Sequence, residues 1–263
     1  MIPRKVTSSV NNIAVKSTDT NDITRDEDTS FSLDAIVPND LSSLSRSFSK
    51  SKAGEVGTLT FGFENFNPIP VDGKIVLTLP SGFDSSQVTV SSITGTTNFG
   101  TTTITKSNQI ITLTRQSDGN VVASSTSLSI VLDSLKHPII SGALGTLNYK
   151  TTDANDISID EGDLAAGSLD PNVLGQTTKS IVHTTNKAGS VTSLVTTIRQ
   201  FFNPLTATDK IVISGFSSDY VFNQGSTTVC TLQSDSSNVA VSTSTDTSGS
   251  NRILTVTLDS GSN

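Results

Sequence analysis

The stretch Lys52–Phe83, KAGEVGTLTFGFENFNPIPVDGKIVLTLPSGF, decides the fold class. Within it, GTLTFGF places Leu59, Phe61 and Phe63 on one face, and KIVLTLP does the same with Ile75, Leu77 and Leu79. Apolar residues at every second position, with polar residues between, describe strands buried on one side only. The pattern extends outward through IITLTR (Ile111, Leu113), LSIVL (Leu128, Ile130, Leu132) and, near the far end, RILTVTL (Leu254, Val256, Leu258). Clusters of Pro, Asn, Gly, Asp and Ser separate these runs at roughly 8–12-residue spacing, which favours a β-sandwich. Pro68, in Phe-Asn-Pro, cannot donate to a ladder and is placed in the loop between two strands.

The same skeleton returns at Lys187 as KAGSVTSLVTTIRQFFNPLTATDKIVISGF, with Pro204 in the second Phe-Asn-Pro. LSIVLDS at Leu128 has a match in LTVTLDS at Leu254. A third repetition joins the chain start to its middle. IAVKSTDTNDITRDED from Ile13 is echoed by LNYKTTDANDISIDEGD from Leu147. The chain therefore reads as two copies of one unit of about 130 residues, a longer period than common solenoid repeats.

Composition agrees with this. The chain has 263 residues, many of them Ser and Thr, no Trp and only 2 Tyr, which favours strands and turns over helices. A net charge of -7 disfavours nucleic acid as a partner. No run of about 18 apolar residues is present to span a membrane as a helix, and MIPRKV is too short and polar for a secretory signal. Cys230 is the only cysteine, so no disulfide framework forms; in TTVCTLQ it reads as an inward strand residue.

Counting strands gives an asymmetry. The first body runs to LSIVLDS and is completed by Leu144, Leu147 and Tyr149 in GALGTLNYK. The second runs to LTVTLDSGSN without a GTLNYK counterpart. A sandwich without its last strand exposes an apolar groove and unpaired backbone groups. The missing piece stands at the start of the chain, where Val10, Ile13 and Val15 take the places of Leu144, Leu147 and Tyr149. The expectation is all-β, with two tandem immunoglobulin-like sandwiches and an N-terminal donor strand. Residues 1–19 are the donor strand, 20–45 a linker, 46–152 domain 1, 153–178 a second linker, and 179–263 domain 2 lacking its final strand. The acceptor groove is placed at Leu254, Val256, Leu258 and Ile181. A strand passed from one copy to the next is head-to-tail and produces an open filament.

The Lys-Ala-Gly, Phe-Asn-Pro, Lys-Ile-Val and Gly-Phe body resembles tandem immunoglobulin-like repeats of extracellular surface and fibril proteins. The displaced strand resembles donor-strand complementation in pili. Two domains per chain and the absence of a cysteine pair set it apart from chaperone–usher pilins. The resemblance implies a structural subunit of an extracellular, cell-surface filament, a homopolymer of identical subunits. Two other readings stand beside it. One is a piece of a longer cell-surface adhesin whose own continuation completes domain 2. The other is a return of residues 9–18 onto the chain's own second domain.

Catalysis finds no support. His137 in LKHPI and His183 in IVHTT carry no motif around them and read as structural or surface residues. No nucleophile elbow, phosphate loop or H-E-x-x-H occurs, and no cofactor is expected. The acidic turns at Asp19 and Asp22 and at Asp153 and Asp156 have oxygens suited to Ca2+; the competing reading is an Asx turn. No Asn-x-Ser/Thr sequon is present. O-linked glycans are an expectation for SSLSRSFSKS and STSTDTSGS.

Overall fold

The computed structural model describes residues 10–174, 179–185, 187–190, 193–198, 202–221, 230–231, 238–239, 241–246 and 251–259. The chain divides into two units between Asn172 and Val173. Every regular element among the described residues is a strand.

Unit 1 opens with a hairpin of β1 (Val10–Thr18) and β2 (Thr24–Leu33). There follow β3 (Asn39–Asp40), β4 (Ser42–Phe48), β5 (Val56–Glu64), β6 (Lys74–Thr78), β7 (Thr89–Thr94), β8 (Thr102–Ser107) and β9 (Ile110–Arg115). The unit continues with β10 (Ser127–Lys136), β11 (Gly142–Ala143), β12 (Thr146–Thr152), β13 (Ser158–Ala165) and β14 (Ser168–Leu169). Two sheets make the body, β4-β5-β10-β7 and β3-β13-β12-β6-β9-β8. Their inner faces share one core. Leu59, Phe61, Phe63, Leu128, Ile130 and Leu132 come from the first sheet, and Ile75, Leu77, Ile111, Leu113, Leu147 and Tyr149 from the second. The period-two pattern of Lys52–Phe83 thus builds one strand of each sheet, joined by the Phe-Asn-Pro loop that contains Pro68.

One end of this sandwich is closed by a cation. Arg115 ends β9, is buried, and lies over the Phe99 ring at 4.5 Å. Its guanidinium donates to the carbonyls of Phe99, Ile69, Pro70 and Asn120. Burial pushes it below its ordinary pKa, and the carbonyl cage supplies the polar contacts that a buried charge requires.

Residues 20–45 and 153–178 were expected as linkers, yet they carry strands: β2, β3 and the start of β4 in the first, β13 and β14 in the second. The reason is chemical. β13 reads SIDEGDLA, and its buried positions are Ile159 and Asp160. A buried carboxylate in that place removes the apolar alternation by which strands are recognised.

Unit 2 contains β15 (Lys179–His183), β16 (Leu194–Ile198), β17 (Lys210–Ser217), β18 (Cys230–Thr231), β19 (Asn238–Val239), β20 (Val241–Asp246) and β21 (Asn251–Leu258). Its pairing repeats that of unit 1 along Ser180–His183 and Lys210–Ile213, and departs from it where β17–β21 shifts register after Ile213. His183 faces Leu194 as Phe48 faces Leu59. Ile211 faces Val256 as Ile75 faces Leu113, and Val241 faces Leu258 as Thr102 faces Arg115. So β15, β16, β17, β20 and β21 correspond to β4, β5, β6, β8 and β9.

That correspondence corrects one sequence match. LTVTLDS pairs with the Lys-Ile-Val strand, so its counterpart is β9 and not the LSIVLDS of β10. NRILTVTLDS aligns with NQIITLTRQS without a gap. The shared Leu-Asp-Ser ending was coincidence between two strands of equal period. Compared with unit 1, the described part of unit 2 lacks counterparts of both β10 and the β12–β13 hairpin.

Candidate assembly interface

The acidic turns are held by local contacts. Asp19 Oδ1 accepts the N–H groups of Asn21 and Ile23, both at 2.9 Å. Asp153 Oδ1 accepts those of Asn155 and Ile157, also at 2.9 Å. The fourth residue of each, Asp22 and Asp156, has φ of 61° and 64°, a left-handed position that Asp tolerates better than most residues. These are Asx turns, and they set the same register on both hairpins. Lys16 faces Glu27 as Lys150 faces Glu161, and Ser17 faces Asp26 as Thr151 faces Asp160. Asp26 N donates to Ser17 Oγ at 3.2 Å, as Asp160 N does to Thr151 Oγ1 at 3.2 Å. The N-terminal element is therefore a hairpin, where a single strand was expected, and it duplicates β12–β13.

In unit 1 the second copy of this hairpin is core. β12 pairs with β6, placing Tyr149 opposite Leu77 and Thr151 opposite Ile75. Leu147 and Tyr149 are fully buried. Tyr149 packs on Phe61 and donates its hydroxyl to Ser45 O at 3.1 Å, and burial raises its pKa to about 12. Asp160 explains the Phe-Asn-Pro motif. Its carboxylate accepts Asn67 N at 2.9 Å and Asn67 Nδ2 at 2.7 Å, tying the loop to the hairpin. Burial pushes the Asp160 carboxyl above its ordinary range, against these hydrogen bonds. At the turn, Lys74 Nζ reaches Asp156 Oδ1 at 2.6 Å.

The N-terminal copy presents the same face to solvent. β2 is exposed at every position. Val15, which takes the place of Tyr149, is 55% exposed, and Phe31 and Leu33 are 49% and 61% exposed. Val15, Ser17, Asp26, Asp28 and Phe31 line one shallow groove on it. Ile13 is half-buried, while the side chain of Val10 lies outside the described residues.

The other expected residues are spread more widely. Leu144 is buried just ahead of β12. Leu254, Val256 and Leu258 share one face of β21, and Val256 is buried. Ile181 lies on β15, outside that sheet, and is 51% exposed. The edge that corresponds to the docking edge of β6 is on β17, which the sequence reading did not single out; the shared Lys-Ile-Val was the available signal. Among the described residues, β17 is an outer strand of the sheet β17-β21-β20.

His137 is buried between Phe48 and Phe83, its Nδ1 is 3.2 Å from Lys52 O, and burial lowers its pKa. The side chains of His183 and Cys230 lie outside the described residues; their backbones belong to β15 and β18. Asp19 and Asp153 direct an oxygen onto their own turns, and among the described residues no three Asp, Glu, His or Cys side chains converge as a metal site would require. Nor, among them, is any helix long and apolar enough to cross a membrane.

No family model matches the chain. No curated protein matches it either. Among solved structures, a non-cellulosomal cohesin from the hyperthermophilic archaeon Archaeoglobus fulgidus is similar at 11% identity and a TM-score of 0.25, over 48% of this chain and 90% of the cohesin chain. The fold assignment rests on the strand pairing itself and draws nothing from that likeness.

Proposed function

We propose that the protein is a structural subunit of an extracellular, cell-surface assembly of β-sandwich repeats, in which a hairpin carried by one copy closes the open body of another. The observation that carries this reading is one hairpin in two settings. It has the same turn and, from Val15 to Thr18, the same register in both, and it is core in unit 1 and exposed at the chain's start. A lone two-stranded hairpin is marginal in water, and its exposed Val15, Phe31 and Leu33 gain most by docking. Repeated head to tail, the contact produces a filament of identical subunits. The protein acts as a building element rather than a catalyst, needs no cofactor, and has Ser/Thr-rich segments suited to O-linked glycans.

The β21 correspondence favours a second reading, a tandem-repeat adhesin. In unit 1, β10 contributes Leu128, Ile130, Leu132 and Leu135 to the core. A body of this type requires both a β10-like strand and a hairpin, and β1–β2 supplies only the hairpin. Repeat sequence continuing in the same polypeptide would supply both, as Ser127–Ala165 does in unit 1. Sedimentation and negative-stain imaging of the purified chain separate the readings. The filament reading expects long polymers that dissociate when residues 1–33 are deleted. The adhesin reading expects monomers with a loosened unit 2.

A further inference from the structure

We infer that the β1–β2 hairpin is matched to the outer edge of β17 in a second copy of this chain, with Val15 opposite Ile213 and Ser17 opposite Ile211. This rests on the reading that the hairpin closes a repeat body. It adds the partner edge, the register and the charges that select it.

The register follows from unit 1. There β12 lies on β6 with Asn148 opposite Thr78, Tyr149 opposite Leu77, Thr151 opposite Ile75 and Thr152 opposite Lys74. The hairpin correspondence converts Tyr149, Lys150, Thr151 and Thr152 to Val15, Lys16, Ser17 and Thr18, and the strand correspondence converts their β6 partners Leu77, Val76, Ile75 and Lys74 to Ile213, Val212, Ile211 and Lys210.

Three side-chain pairs then say which body the hairpin fits. The Lys74–Asp156 ion pair becomes Lys210 with Asp22, and the Asn67–Asp160 pair becomes Asn203 with Asp26. Both keep their chemistry. The third changes on both sides at once. In unit 1 a Cβ built on Gly162 would stand 3.0 Å from Leu44 Cδ1, so a glycine lies beneath a leucine. The hairpin has Asp28 at the Gly162 position, since Asp28 faces Val15 as Gly162 faces Tyr149. β15 has Lys179 at the Leu44 position, four residues before His183, as Leu44 is four before Phe48. Acid and base replace glycine and leucine together. On a unit 1 body, Asp28 would be pressed against leucine, where an unpaired charge is costly to bury. On a unit 2 body the aligned sequence position holds a lysine instead of a leucine. The hairpin thus prefers unit 2 over unit 1, the order that head-to-tail growth requires.

The test mixes two chains, each with Cys230→Ser and one new cysteine. Val15→Cys mixed with Ile213→Cys should form disulfide heterodimers under mild oxidation, several-fold more than Val15→Cys mixed with Ile211→Cys. Lys16→Cys with Val212→Cys, both at exposed positions and corresponding to Lys150 opposite Val76, repeats the test without touching half-buried Ile213. Lys179→Glu in the acceptor should lower the yield several-fold, and Asp28→Lys in the donor should restore it. Equal cross-linking to Ile211 and Ile213 overturns the register. Cross-linking only when both cysteines share one chain overturns the second copy as partner. If every pairing fails while deletion of residues 1–33 still dissociates polymers, the register is wrong and the assembly reading stands. If the deletion also has no effect, both fall.

Discussion

The two hairpins, β1–β2 and β12–β13, share a turn, the register beside it and an internal hydrogen bond, and they differ in what lies against them. Leu147 and Tyr149 have β6 beside them and a core beneath; Val15 has solvent. Local sequence made the hairpin in both places, and tertiary packing made it core in only one. Burying a large apolar side chain contributes about 1.5–3 kcal/mol, against conformational entropy of similar size for the residues ordered. A hairpin is therefore a stable part of a body and a marginal element on its own.

The largest difference is expected at the paired positions Tyr149 and Val15. Tyr149→Ala removes a fully buried ring and should cost about 3–5 kcal/mol in urea unfolding of unit 1. Val15→Ala in dilute protein should stay within about 0.5 kcal/mol. If the two cost the same, the N-terminal hairpin is already packed. Next is the carboxylate. Asp160→Ala leaves two donors of Asn67 unpaired and should cost about 1.5–3 kcal/mol, while Asp26→Ala should cost almost nothing until copies associate.

Asp160 also has a pH signature. Burial raises its folded-state pKa above its ordinary, unfolded value. Between the two values the folded state holds the extra proton, so this residue's contribution is full below the ordinary value and is lost as pH rises towards the raised one. The stability of the wild type relative to Asp160→Asn should thus decline as pH rises from the ordinary carboxylate range through the raised folded-state value; a rise with pH would mean that the Asn67 hydrogen bonds outweigh burial. A smaller effect belongs to Lys74→Ala, which breaks an ion pair whose Asp156 side chain is 70% exposed. It should cost at most about 1 kcal/mol, less in high salt. The smallest is metal removal. With Asp19 and Asp153 engaged in their own turns, a chelator should leave the melting curve unchanged, and a clear downward shift would restore a Ca2+ role.

The sandwich of unit 1 was legible because its core strands alternate strictly, as at Leu59, Phe61 and Phe63. The duplication was legible in TDTND and TDAND. β13 was not, since one of its two buried positions is Asp160, and β2 was not, since it has no packed face at all. The role of Asn67 needed tertiary geometry; its partner lies 93 residues away. The proposed acceptor edge carries no apolar signal of its own: strand addition depends on a backbone edge, and among the described residues β17 is the outer strand of its sheet.

The most direct test of one hairpin in two settings is residue-resolved amide hydrogen exchange in dilute monomer and again in concentrated protein. The account predicts that Tyr149 and Thr151 in β12 exchange only through opening of the whole body at either concentration. Val15 and Ser17 in β1 should exchange rapidly in the monomer, as marginal local structure does, and slow markedly once copies associate. Equal protection of β1 and β12 in the dilute monomer, or β1 amides that remain fast at every concentration, would contradict it.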